Sequence, residues 1–262
     1  MIEKVILNNK EMNYFKFGYG KKIMVMIPGL SIKSVMLAES DIINMYKMFE
    51  KDYTVYCFDR ITNPNKAYSL IDMANDTIEA IEKLNLDDIY LFGASQGGMI
   101  SMLIALKRCD LVKKIAIASS CARIDDFIKE KMNEFINYAK DRKKEELVLE
   151  FSKLIYPLDY YKKIENFLKT FSNTITNKEL DDFIIFANAI FDNNIIDKIN
   201  NIKIPFMQFH DTTDKLINID LAYEIKNKMN NDYSLITSNG YGHVLYDLSN
   251  DFRLKMLEFF NE

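Results

Sequence analysis

Apolar positions along the 262-residue chain fall into two patterns that take turns. Short apolar runs predict strands at 3–8, 12–18, 22–28, 53–59, 88–93, 113–119, 203–210 and 233–238. Several of these, such as IMVMI, IYLF and KIAIA, are apolar at every position rather than at alternate ones. A strand needs that pattern when helices cover both faces of its sheet. Helix-length segments are expected at 34–50, 69–84, 96–108, 218–230 and 248–260, each after one of these strands. The alternation implies βαβ units and a largely parallel sheet, with the first two strands as an antiparallel hairpin at its edge.

From about 121 to 202 the alternation stops. Apolar residues recur there at helical spacing, as in Phe127, Ile128, Met132, Phe135 and Ile136, then Leu147, Phe151, Leu154 and Ile155. The pattern resumes at Ile164, Phe167, Leu168 and Phe171, and again at Leu180, Phe183, Ile184 and Ala187. Four helices in succession read as an insertion, 121–202, into a sheet domain made of 1–120 and 203–262. A helical domain packed beside the sheet would give the same pattern. The many phenylalanines of the insertion lead us to expect that several face a cleft and make it apolar.

Composition narrows the function classes. Hydrophobic residues make up 48% and charged residues 27%, the balance of a globular protein and not of a disordered one. A net charge of −4 gives no general attraction to nucleic acid or anionic membranes. No apolar run approaches the roughly 18 residues of a membrane span, so no integral membrane segment is expected. Cys57, Cys109 and Cys121 lack the spacing of a zinc site or a disulfide framework, which suits a reducing, cytoplasmic setting. Only two histidines are present and no metal-ligand cluster is evident, so neither metal nor cofactor is assigned.

The sharpest motif is Gly93-Ala94-Ser95-Gln96-Gly97, directly after the strand IYLF and directly before the helical run GMISMLIALK. With eight glycines in the chain, the bare pattern would arise by chance roughly 0.01 times. A sharp strand-to-helix turn lifts a serine hydroxyl above the sheet, and flanking glycines let the backbone make that turn. Serine needs a base, and the base needs an orienting group. His243, in a loop between a strand and the last helix, is the candidate base, whereas His210 ends an apolar strand and reads as a packed residue. For the acid, Asp214 is preferred and Asp211 is the fallback, since Asp211 also suits a simple Asx turn.

The whole chain resembles the α/β-hydrolase family with a helical cap inserted after the sixth strand. The order Ser95, Asp214, His243 is that family's order. The resemblance also matches Asp214 to the family's acid after the strand that follows the cap, and Gly242-His243 to its terminal Gly-His. Ile27-Pro28-Gly29-Leu30 resembles the oxyanion turn, which would make the backbone N–H groups of Leu30 and Gln96 the oxyanion hole. Pro28 replaces the usual histidine there, Asp211 stands where a glycine commonly precedes the acid, and Phe58-Asp59-Arg60 lacks the glycines that usually follow. The resemblance implies an α/β fold with a mostly parallel eight-stranded sheet, helices on both faces and an α-helical cap. It further implies a serine esterase that acts on small-molecule carboxylic esters of small to medium apolar acyl groups through an acyl-enzyme. Thioester, lactone, acylglycerol and carbon–carbon bond hydrolysis can use the same triad. So can a non-catalytic fold that binds a ligand under its cap. An aminopeptidase would need acidic cap residues such as Glu130, Glu134, Asp181 or Asp182 to hold an α-ammonium group.

Overall fold

The computed structural model describes residues 1–8, 10–230 and 232–262. Strands β1 (Ile2–Leu7), β2 (Lys10–Phe17), β3 (Lys22–Ile27), β4 (Tyr53–Ile61), β5 (Ile89–Ala94), β6 (Val112–Ala118), β7 (Phe206–Asp211) and β8 (Tyr233–Ser238) form one sheet in the order β1-β2-β4-β3-β5-β6-β7-β8. β1 and β2 are antiparallel to each other, and β2 is antiparallel to β4. Every other neighbouring pair is parallel. The expected edge hairpin and parallel centre are both present.

The unbroken apolar runs serve two cores. Val25 and Ile27 of β3 and Ile115 and Ile117 of β6 pack with α2 (Leu70–Lys83) and α3 (Gln96–Lys107) on one face. Met24, Met26, Ala116 and Ala118, one residue out of phase, pack on the other face with Phe49 and with Phe252, Met256 and Phe260 of α10 (Asn250–Asn261). Each large side chain so buried contributes about 1.5–3 kcal/mol. Both faces of the central strands are therefore apolar because each has its own helical layer. α8 (Ile219–Lys228) and the short α9 (Leu245–Leu248) complete the sheet domain.

The continuous helix expected at 34–50 is not formed. Only α1 (Glu39–Met45) is α-helical, and 3₁₀ turns lie on either side of it. Tyr46 leaves helical geometry at φ −102°, ψ 14°, and this turns Phe49 into an aromatic cluster with Tyr46 and Tyr53. Tertiary packing here overrides helical propensity.

Four helices occupy the connection between β6 and β7: α4 (Asp126–Lys140), α5 (Lys144–Ile155), α6 (Leu158–Ser172) and α7 (Asn177–Asn188). Asp125 caps α4 by accepting from Ile128 N–H, and Thr176 and Glu179 form a capping box at the start of α7. The two ends of the segment are tied together by a bridge between Arg123 and Asn194 and by Ile195 N–H donating to Ala122 O at 2.8 Å. Its phenylalanines mostly pack among themselves or face solvent. Phe151 stacks edge-on against Phe135 and Phe183, while Phe127 and Phe167 are 42% and 66% exposed. Phe186 lines a cavity with Gly29, Leu30 and Gln96. These rings are needed to build a core within a thin layer of helices.

Among the described residues no helix is long and apolar enough to cross a membrane, and no group of three or more His, Cys, Asp or Glu is placed to hold a metal.

Candidate active site

Ser95 sits at the turn from β5 into α3 with φ 51°, ψ −120°. A non-glycine residue in that region carries strain of order 1–3 kcal/mol, which persists only where the surroundings impose it. Here Ser95 N–H donates to Ala118 O at 2.8 Å, and Ser120 Oγ donates to Ser95 O at 2.8 Å. The glycines are required by contact. A Cβ on Gly93 would lie 2.3 Å from Gly97 O, and one on Gly97 would lie 2.0 Å from Ile27 O. No side chain could occupy either position.

His243 and Asp214 reach this serine from separate loops. His243 Nε2 lies 2.9 Å from Ser95 Oγ, and its Nδ1 lies 2.8 Å from Asp214 Oδ2. A carboxylate can only accept, so the proton rests on Nδ1 and Nε2 is left to accept from the serine hydroxyl. Asp214 Oδ1 accepts from the N–H groups of Leu216 and Ile217, each at 2.9 Å. Histidine and aspartate are both buried. Ser95, His243 and Asp214 thus come together across 148 residues of sequence, at the spacing that a nucleophile, a base and an orienting acid would need.

The other two groups singled out in the sequence support this trio. His210 is fully buried and its Nε2 lies 2.8 Å from Ile217 O, which braces the loop carrying Asp214. Burial lowers the His210 pKa despite the nearby Asp214, so the ring is neutral and donates to that carbonyl. Asp211 does more than close an Asx turn. Its carboxylate accepts from Thr213 N–H, from Ser238 Oγ, and from the N–H groups of Gly240, Tyr241 and Gly242, the residues leading into His243. Burial would raise its pKa, but these hydrogen bonds hold it below the usual carboxylate value. Sequence reasoning missed this role, because a carboxylate that gathers N–H groups from a distant loop leaves no local pattern.

The turn Ile27-Pro28-Gly29-Leu30 lies against the serine. A Cβ on Gly29 would stand 3.2 Å from Ser95 Cβ and 3.8 Å from Ser95 Oγ. Gln96 is the first residue of α3, so its backbone N–H has no partner within the helix.

A family model described as the alpha/beta hydrolase fold matches residues 22–249. The chain belongs to the α/β-hydrolase fold family. Solved structures of the same fold cover nearly all of it. They include MGS-M2, an alpha/beta hydrolase enzyme from a Medee basin deep-sea metagenome library, at TM-score 0.89 and 18% identity over 99% of this chain and 98% of that one. The enol-lactonase of Burkholderia xenovorans LB400 aligns at TM-score 0.86 and 15% identity over 99% and 100%. An esterase of Exiguobacterium antarcticum aligns at TM-score 0.80 and 17% identity over 97% and 96%. A 58-residue stretch is 34% identical to the RutD protein of Serratia proteamaculans (strain 568), whose name is that of a carbamate hydrolase, and it spans 22% of either chain.

Arg60, to which the sequence reading gave no role, bonds to the groups around the serine. Its Nη2 donates to Pro28 O at 2.7 Å and to Gln96 Oε1 at 3.0 Å. Gln96 Nε2 in turn donates to Phe186 O of α7 at 2.6 Å. This chain of bonds joins the Pro28 turn, the start of α3 and the helical segment. The available signal was a pair of charges, Asp59-Arg60, at the C-terminal end of an otherwise apolar strand, where open α/β sheets place their ligands.

Proposed function

We propose that the protein is a serine hydrolase that cleaves small-molecule carboxylic esters through an acyl-enzyme, with 121–202 as a cap over the site. The observation that carries this is the relay from Ser95 Oγ to His243 Nε2 at 2.9 Å and from His243 Nδ1 to Asp214 Oδ2 at 2.8 Å. In this reading His243 takes the serine proton as Oγ attacks the ester carbonyl. The tetrahedral oxyanion is held by the N–H groups of Leu30 and Gln96, and the positive end of α3 adds to that field. His243 then returns the proton to the leaving alcohol, and water repeats the sequence on the acyl-enzyme. Asp214 accepts from His243 Nδ1 throughout and stabilises the imidazolium that forms.

The folds shared with an esterase and an enol-lactonase support acyl-oxygen cleavage as the reaction class. Three unpaired thiols, Cys57, Cys109 and Cys121, accord with a cytoplasmic setting. The test is Ser95→Ala, which removes the nucleophile from an elbow whose shape the glycines and Ser120 maintain. Turnover of p-nitrophenyl acetate should fall at least about 10⁴-fold, and fluorophosphonate labelling should disappear while the melting temperature stays close to wild type. A variant that keeps its turnover would refute the mechanism.

A further inference from the structure

A cavity of about 290 Å³ opens beside the oxyanion turn, lined by Gly29, Leu30 and Gln96 on the serine side and by residues of β4 and α7 beyond them. Its charged side chains are three cations and three carboxylates, and all but one have settled partners. Lys178 pairs with Asp182 at 2.6 Å. Lys33 lies 3.6 Å from Glu179 and also donates to Thr174 O and Oγ1. Glu179 accepts from Thr176 N–H at 2.7 Å. Asp59, beside Arg60 in sequence, accepts from Ser34 Oγ and from the Arg60 backbone N–H.

The exception is the Arg60 guanidinium. Among the described residues no carboxylate oxygen lies within 4.0 Å of its nitrogens. Nη2 bonds to two neutral oxygens, Nε is sealed from solvent without a partner, and Nη1 bonds to nothing yet is not sealed. Enclosure of this charge is costly enough to lower its pKa, although the field of Asp59 opposes the shift. A single uncharged amide could brace Pro28 O and would avoid that cost. A cation kept without a counter-ion in a cavity wall is placed to receive an anion from outside.

We propose that this cavity is an anion subsite in which Arg60 binds a carboxylate carried by the acyl part of the substrate. This deepens the hydrolase reading and rests on it for the acyl chemistry. The cavity lies at the lower end of the range for small-molecule sites, roughly 300–1,000 Å³. That size points to a short dicarboxylic half-ester and not to a long alkyl chain.

The test compares monophenyl glutarate and adipate with phenyl pentanoate and hexanoate, the neutral acyl groups of equal length. The wild type should favour the half-esters in kcat/KM by about tenfold or more, mostly through KM. Arg60→Gln should lower both rates through the oxyanion turn but remove that ratio, and Arg60→Lys should recover part of it. In a Ser95→Ala background, calorimetric titration with glutarate should detect binding that Arg60→Gln abolishes. The proposal is overturned by a wild type that prefers the neutral esters, or by an unchanged ratio in Arg60→Gln. Glutarate binding without any ester turnover would leave the subsite standing and remove the hydrolase reading. Turnover with no half-ester preference and no glutarate binding would do the reverse.

Discussion

The two sides of Ser95 are built on opposite principles. On the base side the carboxylates and the His243 ring are satisfied from within, and among the described residues there only His210 Nδ1 is buried without a partner. Asp214 accepts from His243 and two backbone N–H groups, His210 braces the same loop, and Asp211 gathers the loop that ends in His243. On the side proposed as the oxyanion hole, donor capacity is left unspent at the Gln96 N–H at the start of α3 and at Arg60, facing a cavity. The first arrangement fixes a tautomer and a geometry before substrate arrives. The second holds charge stabilisation in reserve for a ligand. Substitutions on the base side should therefore damage kcat, and those on the oxyanion side should show up more in substrate selection.

The largest effect should come from contrasting the two aspartates. Asp214→Asn leaves the shape but reverses the hydrogen-bond sense at His243 Nδ1, and kcat should drop about 10³–10⁴-fold with little change in KM. Asp211→Asn should act first on stability, costing about 1–3 kcal/mol as its N–H donors lose a charged acceptor. Because its folded pKa is depressed, that stabilisation is present above the ordinary carboxylate range and fades as pH falls through the folded value. Chemical denaturation at pH 7 and pH 4, beside steady-state kinetics, checks both. If the kinetic penalties were exchanged, Asp211 and not Asp214 would be the orienting acid.

A smaller effect is expected at Gln96→Met, which keeps the backbone N–H but cuts the links to Arg60 and Phe186. Loss of these hydrogen bonds should lower kcat/KM by about tenfold, more for larger acyl groups than for acetate, since the helical segment is tied to the Pro28 turn through this amide. Equal losses across an acyl series would show that the link does not reach the substrate.

The subtlest test concerns Asp247 on α9, just beyond His243. Burial pushes its carboxyl up to about 7, against the opposing fields of Arg253 and His243. A folded value above the unfolded 3.8 means that the native state holds the proton more tightly. Stability is then full below about pH 4, declines as pH rises towards 7, and is flat above that. Asp247→Asn should remove this decline and raise stability at pH 8 by up to about 4 kcal/mol, with no gain at pH 4. Denaturation curves at the two pH values decide it, and equal gains at both would place the carboxylate in a wetter setting.

How much of this was legible beforehand depended on distance along the chain. The elbow could be read because its requirements are local: two glycines whose Cβ atoms would strike backbone, and a serine between a strand and a helix. The doubly covered sheet could be read because unbroken apolar runs have few other uses. The helical segment was visible as a periodicity, but which way its rings point was not, since Phe135 and Phe186 look alike in sequence and differ in what packs against them. Asp211 and Arg60 escaped for the same reason. Their roles are set by loops that meet them only when β4, β7 and β8 lie in one sheet. Hydrophobic periodicity and backbone sterics fixed the strands and most of the helices, the region 34–50 apart, because both act over a few residues. The partners of each buried charge, and the lack of a carboxylate beside the Arg60 guanidinium, were decided by tertiary contacts, because a charge is satisfied by whatever the fold brings within a few ångströms of it.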